Sequence, residues 1–590
     1  MAPKSVAGGD WHPIKLSAAV FGHISQGLYR SPAGAIKELI SNSFDADASL
    51  VRIHTDFPRF ERFSCEDTGL GLEKGEFLRL MERGIGTSYK RTGDDMTTSV
   101  YKRPIIGRLG IGILALAQIC SEFTIISHHR KTKTAFRASI RFPPYTKQEI
   151  EKILKKRRQS PDDETFVQGG EYTMEDIDFD DEKSGVRIFT NYLRETFRKR
   201  MRNLDSYARK LHLKKTGPYK DFEEFLASIY GAASGAVRRN PSLSRHSDYD
   251  QLLFGLALAA PLPYFDGSDG NIALSTPLLK QYQRTVKSYR FRVDVDNVSL
   301  ARPLYLPSDR EHHSGADCSV SEPIDKQVDV VDGVSRERVR VALYPIKVRG
   351  EDLQFRLYEF RYANQNVGGR PLAFSGYVFQ QTGRLYPREI QGSLVRIRNV
   401  AIGFYDPGIM GYPLAEGPRY SMVSLELFVE QGFEDALNID RDSFNQLDGH
   451  YMRMQNFVYN LLHDIVFPQT WGEEKERNRR KKSVKESEGE RAFLRAFRDA
   501  TKERYARLVR SEKRRDVRAN GTSPVRFRRN ARRIEIDSWH PGLKKVLSRR
   551  RYRLLAERIV IAFERAALES DQSRRRQVFY ALLRGILSRV

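Results

Sequence analysis

Three polar residues on one short stretch could do chemistry together. In Glu38-Leu-Ile-Ser-Asn42-Ser-Phe-Asp45-Ala46, Glu38, Asn42 and Asp45 follow at intervals of four and three. On a helix that spacing puts all three side chains on one face. A carboxylate beside an amide oxygen suits a magnesium–triphosphate site. Asn42 can give the metal a neutral oxygen while the metal keeps several waters. Glu38 can polarise the water that attacks a terminal phosphate. An ordinary amphipathic helix with its polar face in water has the same spacing.

Three further segments carry related signals. Asp67-Thr-Gly69-Leu-Gly71 follows a strand-like run. An aspartate there can accept a hydrogen bond from an exocyclic amine such as that of adenine, and the glycines let backbone approach a base. A plain D-x-G turn reads the same way. Gly107-Arg-Leu-Gly110-Ile-Gly112 precedes the apolar run ILALAQI. Glycines ahead of a helix make a phosphate cradle from backbone N–H groups and the helix dipole. The motif is not a Walker A loop, because no GK[ST] follows, and it does not open a first strand–helix unit as a dinucleotide fingerprint does. Gly84-Ile-Gly86-Thr87-Ser88-Tyr-Lys90 brings two hydroxyls and a lysine that can contact phosphate from a lid, or form a solvent-exposed turn.

The elements that must position these residues are partly legible. Residues 15–48 read as helical, with Ile36, Leu39, Ile40 and Phe44 near helical spacing. Residues 50–66 alternate as two strands around a turn at Pro58, and strand patterns return at FTIISHH, FRASIRF and GVRIFT. Residues 146–184 read as a charged, inserted segment, and 191–260 as mainly helical. From about 285 to 440 the pattern is β-rich, 450–466 is an apolar helix, and 541–590 again has helical apolar spacing. The expected division is 1–195 for an ATP-binding domain, 196–280 for a helical connector, 281–466 for a β-rich domain and 467–590 for a basic, mainly helical region.

In order and spacing the four motifs resemble those of the GHKL superfamily, which includes the ninety-kilodalton heat-shock chaperone, MutL, MORC proteins, type II topoisomerases and sensor histidine kinases. The resemblance covers about residues 15–190, and KELISNSFDA and IGRLGIGILALA look especially like the chaperone. It implies an α/β fold: a Bergerat-type α/β sandwich, followed by a β-rich transducer or middle domain, with the helical basic region at the end. By motif it implies Glu38 as general base and Asn42 as the Mg2+ ligand. Asp45 and Ala46 border ATP, Asp67 reads the adenine amine, Gly69 and Gly71 shape that wall, and Thr87, Ser88, Lys90, Gly107, Gly110 and Gly112 belong to the phosphate side and lid. The family usually has Gly-Thr on a late strand. Here Gly185-Val186 stands instead, so Thr190 substitutes, the motif lies elsewhere, or adenine is held less tightly. The segment Asp435-Ala-Leu437-Asn438-Ile-Asp-Arg441-Asp-Ser-Phe444 resembles the chaperone segment bearing a catalytic arginine, which makes Arg441 the expected partner of the terminal phosphate; a surface arginine at a helix start is the alternative.

Composition narrows the rest. Cys65, Cys120 and Cys318 lie far apart, which argues against a disulfide framework or a structural zinc site. No apolar run is long enough to span a bilayer, and no leader is evident, so a cytoplasmic protein is expected. The net charge is +25, and residues 471–590 hold 36 Lys+Arg against 16 Asp+Glu, a net +20. That asymmetry points to a polyanion such as DNA or RNA, or else to a solvated Arg-rich tail. Two functions follow: an ATPase acting on nucleic acid, closing as an ATP-gated homodimer, or a chaperone-like ATPase acting on protein clients. Lone histidines (His54, His128, His129) read as strand or loop residues.

Overall fold

The computed structural model describes residues 10–17, 32–83, 97–107, 112–142, 166–202, 217–234, 243–266, 275–303, 318–332, 335–348, 354–414, 416–433, 435–438 and 443–469. Further on it describes 493–495, 497–498, 501, 507–510, 525–528, 533–536 and 553–587. The chain divides into two units, Met1–Gln469 and Thr470–Val590.

The first unit begins with strand β1 (His12–Ser17), so the start of the stretch expected to be helical is extended. Helix α1 (Pro32–Asp45) follows. Pro32 suits a first helical position because its missing N–H has no intrahelical acceptor there. Nearly every side chain of α1 is buried, from Ala33 to Phe44, Asn42 excepted. A helix buried around most of its girth is an interior helix, not a surface one. It ends in a Schellman arrangement: Ala48 N–H donates to Ser43 O and Asp47 N–H to Phe44 O, with Asp47 at φ +58°.

Next come β2 (Leu50–His54), β3 (Phe63–Asp67), α2 (Lys74–Arg83), β4 (Cys120–His129), β5 (Thr134–Arg141), β6 (Phe166–Ile177) and β7 (Gly185–Leu193). Helices α3 (Glu195–Arg202), α4 (Phe222–Ser234), α5 (Asp248–Ala259) and α6 (Pro277–Ser288) lead to β8 (Arg292–Val295) and β9 (Val298–Ser299). These nine strands form one sheet in the order β1-β6-β5-β4-β7-β3-β2-β8-β9, antiparallel except for β2 and β8. Thus β6 belongs to the sheet although its surroundings read as an insertion, and two strands beyond residue 281 join it. Strand alternation turns Val51, Ile53, Phe63, Cys65, Phe123 and Ile125 to the buried face, where α1 and α5 pack.

The second sheet comprises β10 (Cys318–Val320), β11 (Ile324–Asp332), β12 (Ser335–Val348), β13 (Phe355–Val367), β14 (Arg370–Gln381), β15 (Gly392–Ile397), β16 (Val400–Asp406) and β17 (Val423–Gln431). Its order is β10-β12-β13-β14-β17-β15-β16, with β11 on β12 and a single parallel pair, β15–β17. One face packs with α7 (Gly449–Asn460) around Phe360, Phe374 and Phe457. The other face contributes Leu357, Tyr377, Phe379 and Phe428 to the core of the first sheet. The two sheets are also stitched by Glu359 of β13, whose carboxylate accepts from Thr276 Oγ1 (2.5 Å) and Leu278 N (3.1 Å) at the start of α6.

The second unit has a small sheet, β18 (Arg507–Arg510), β20 (Arg533–Ile536) and β19 (Val525–Arg528) in that spatial order, with helices α8 (Arg553–Ala567) and α9 (Gln572–Leu587). Its core is Phe493, Phe497, Val525, Ile534, Ile536, Ile561 and Leu582. The two helices match the periodicity read from 541–590; the strands had no comparable signal, being four residues each and rich in arginine.

Candidate functional site

Asp67 ends β3 with the same parity as Phe63 and Cys65, so alternation turns it to the helix-covered face of the sheet. Its Oδ1 accepts from Gly69 N (2.8 Å) and Val186 N (3.3 Å). Its Oδ2 lies 3.1 Å from the Ser43 hydroxyl of α1, which is shared with the Leu39 carbonyl at 3.0 Å. Burial pushes the Asp67 carboxyl above the usual carboxylate range, and the three donors oppose that rise. An ionised carboxylate has about four acceptor positions. Three are used, which leaves one for an external donor such as an amine.

The glycines around Asp67 are there for lack of room. A Cβ on Gly69 would stand 2.7 Å from Ala46 O, and one on Gly185 2.0 Å from Asp67 O. Gly185 also has φ +124° and Gly71 φ +82°, backbone states that L side chains rarely adopt. Ala46 therefore contributes backbone to this wall: its carbonyl accepts from Leu70 N at 2.8 Å.

Glu38 is buried at 6% exposure and lines a cavity of about 60 Å³ with Lys37, Ser41, Ile106, Arg398 and Leu437. Asn42, one turn on, is exposed. Neither Asn42 nor Asp67 lines the Glu38 cavity; what joins the two ends of the site is α1 itself, through Ser43. Asp45 turns to a different task. Its Oδ1 accepts from Ile106 N (2.7 Å) and its Oδ2 from Gly107 N (2.5 Å), so it anchors the start of the glycine-rich segment. Beyond that segment, Gly112–Gln118 is a seven-residue 3-10 helix, where an α-helix was expected. The chain enters β4 at Cys120, which leaves length for two tight turns only. Thr87, Ser88, Lys90, Gly110 and Arg441 lie outside the described residues.

The question left by Val186 has an answer in the sheet. The Thr190 hydroxyl is spent on Glu122 O (2.5 Å) and Tyr192 N (2.9 Å), so it does not serve Asp67. Ser43 supplies the hydroxyl there instead. A signal for it existed: Ser43 continues the buried spacing of Ile36, Leu39 and Ile40, and a polar group on a core stripe needs a partner.

Two more residues were missed. Asp47, in the helix-ending turn, accepts from Val100 N (2.8 Å), Tyr101 N (3.1 Å) and the Thr98 hydroxyl. Burial works to raise its pKa, but these bonds and the nearby Arg103 outweigh that and hold it below the ordinary value. Arg103, fully buried, donates to Phe44 O (3.1 Å) at the end of α1 and to Tyr289 O (2.9 and 2.6 Å), with its guanidinium 4.9 Å from the Phe44 ring centre.

Residues 29–165 match the family described as histidine kinase-, DNA gyrase B-, and HSP90-like ATPase. A Herpetosiphon aurantiacus protein bearing the name type II restriction enzyme HgiDII is 30% identical over 120 residues, 20% of this chain and 18% of that one. The DNA mismatch repair protein MutL of Myxococcus xanthus is 30% identical over 127 residues, 21% of this chain and 20% of that one. MutL of Colwellia psychrerythraea is 32% identical over 126 residues, 21% and 18% respectively. The chain thus spans about a fifth of the length of these relatives. A crystal structure of the N terminal domain of a DNA repair protein superposes over 77% of this chain and 98% of that one, at 12% identity and a TM-score of 0.31, too loosely to carry a conclusion. Residues 29–165, which carry the motifs around Glu38, Asp67 and Gly107, are thus similar to the GHKL ATPase family and to part of MutL.

Proposed function

We propose that the chain binds Mg–ATP in its first unit, hydrolyses it slowly, and acts on nucleic acid through the basic residues 471–590. The observation that carries the reading is that one buried helix joins the residues proposed for both ends of the nucleotide. α1 bears Glu38 and Asn42, and its Ser43 bonds the Asp67 carboxylate.

The residues fit the nucleotide and the metal. Asp67 keeps an acceptor position for the adenine amine. Asn42 is exposed and one turn from Glu38, so its amide oxygen can hold Mg2+. When bound, the metal neutralises charge on the phosphates. Glu38, buried and lining a cavity large enough for a few waters, orients the attacking water and takes its proton. Asp45 fixes the backbone at Ile106 and Gly107, where the glycine-rich motif proposed for the phosphate side begins. A basic residue for the terminal phosphate is Arg441, which follows Leu437 in sequence, and Leu437 lines the Glu38 cavity.

For the partner, the +20 charge of residues 471–590 and the likeness to a DNA mismatch repair protein favour nucleic acid over protein clients. Closure into an ATP-gated dimer is proposed from the same likeness. Among the described residues no helix is long and apolar enough to cross a membrane.

The test is ATP hydrolysis measured with and without double-stranded DNA, beside a melting curve. ATP at about 100 times its Kd should stabilise the fold by about 2.7 kcal/mol. Stimulation by DNA supports the nucleic-acid reading, and indifference to DNA moves it to protein clients. A melting point unmoved by Mg–ATP removes the nucleotide assignment altogether.

A further inference from the structure

The turn between β15 and β16 is built against the local preference of one of its residues, Arg398. Ile397 pairs with Val400, leaving Arg398 (φ +54°) and Asn399 (φ +66°) as a two-residue hairpin turn. Left-handed backbone at a long side chain costs free energy and persists where surrounding contacts over-determine it. The contacts seen here reach Ile105 of the nucleotide module and, beyond it, Tyr289 and Arg302. Arg398 NH1 donates to the Ile105 carbonyl, and Asn399 Nδ2 donates to the Tyr289 hydroxyl at 3.0 Å. Arg302 NH2 reaches Asn399 O at 3.4 Å.

The root of the hairpin is rigid. Arg396 Nε donates to Glu426 Oε2 at 2.7 Å, both side chains fully buried, and Tyr405 OH donates to the other Glu426 oxygen at 2.8 Å. Arg302, also fully buried, stands 4.0 Å from the same carboxylate. A hairpin held this way moves with its sheet.

Its tip grips a short segment that α1 grips from the other side. Arg398 holds the carbonyl of residue 105, and Asp45 holds the amides of 106 and 107. Arg398 and Glu38 also line one cavity, with Ile106 between the segments that carry them. Any movement of residues 105–107 therefore pulls on both α1 and the second sheet.

We propose that Arg398 is a positioning residue through which the second sheet registers the state of the nucleotide pocket, by way of the Ile105 carbonyl. The inference rests on the proposed ATP site and goes beyond it: it assigns to one turn the coupling between pocket and sheet.

The test uses the full chain and a non-hydrolysable ATP analogue, with hydrogen exchange read at residues 105–107 and 392–406. Arg398→Gly is the informative variant, because glycine takes φ +54° without strain and removes the side chain that reaches Ile105. Arg398→Lys restores a single donor without the fork. In the wild type the analogue should protect both segments. In Arg398→Gly it should still bind within about threefold of wild type and protect 105–107, but the response at 392–406 should vanish and kcat should fall about 10-fold or more at unchanged KM. Arg398→Lys should recover part of both. Equal responses at 392–406 in wild type and Arg398→Gly would overturn the inference while leaving the ATP site standing. Absence of any analogue effect on wild-type 105–107 would remove the ATP site and the inference with it.

Discussion

Replacing Asp67 by Asn separates recognition of the base from integrity of the fold. The asparagine is nearly isosteric. Its Oδ1 can take the amides of Gly69 and Val186, and its Nδ2 can face the Ser43 hydroxyl, so the local bonds survive. Binding does not survive, because the position left for the adenine amine now presents an N–H to an N–H. The loss combines a charge-assisted hydrogen bond, about 1.5–3 kcal/mol, with a buried donor left unmade, about 1–3 kcal/mol. At about 1.4 kcal/mol per decade, a total of roughly 3–5 kcal/mol raises the Kd for ATP by about 10²- to 10³-fold or more. Calorimetric titration with ATP and with inosine triphosphate is the assay, since inosine offers an oxygen where adenine has its amine. The variant should lose ATP and gain relative preference for the inosine nucleotide. The pH sign also follows. Burial raises the Asp67 pKa in the folded state. Its charge therefore costs no stability below the unfolded value, and the cost grows as pH rises through the folded value and persists above. The Asn variant should lose that pH dependence and melt no lower than wild type at neutral pH. In wild type, ATP affinity should fall as pH drops through the raised pKa, earlier than for an ordinary carboxylate. ATP binding by the variant within threefold of wild type, with no change toward inosine, would refute the assignment of Asp67 to the base.

Glu38→Gln should lower ATP turnover about 10²- to 10⁴-fold with Kd nearly unchanged, measured by phosphate release and titration; unchanged turnover would take Glu38 out of the reaction. Asp47→Ala should cost about 2–4 kcal/mol in urea melts, because two backbone amides and the Thr98 hydroxyl lose their acceptor. Since Asp47 is held below its ordinary pKa, its contribution is present above the unfolded value and is lost as pH falls through the folded one, so the penalty should shrink in acid. Val186→Thr should change the Kd for ATP by less than about threefold, because Ser43 already bonds the Asp67 carboxylate; tightening beyond tenfold would show that hydroxyl to be insufficient. Removing residues 471–590 should abolish DNA binding whose affinity in the intact chain falls steeply with salt, as band-shift titrations at several salt concentrations would show.

How much of this was readable beforehand depends on the reach of each interaction. Glu38, Asn42 and Asp45 share a helix, so their grouping is a matter of spacing. The partners that give them their tasks are distant: Ile106 and Gly107 lie 61 and 62 residues from Asp45, and Val186 lies 119 from Asp67. For Asp45, expected to border the nucleotide, no spacing announces its bonds to the amides of Ile106 and Gly107. The extended start at β1 and the strand β6 were misread for a similar reason. Near the edge of this sheet β6 exposes Glu175 and Asp176, and the identity of both strands comes from pairing, as in the β1–β6 register of His12 with Tyr172. Arg103 was invisible because nothing local marks an arginine as fully buried; its acceptors, Phe44 O and Tyr289 O, are 59 and 186 residues away.

The Gly185-Val186 pair shows which part of a motif physics enforces. β7 must bring an amide to Asp67, and the approach is so close that any Cβ at 185 would overlap the Asp67 carbonyl oxygen. The glycine is therefore fixed by sterics before any ligand enters. The residue after it contributes its backbone N–H to Asp67, which valine does as well as threonine. Its side chain is free to vary once another element supplies the hydroxyl, and α1 does so with Ser43, one residue from the asparagine that would hold the metal. The departure from Gly-Thr thus sets a hydroxyl on the helix rather than the strand, and in doing so ties Asp67 to the helix that carries Glu38.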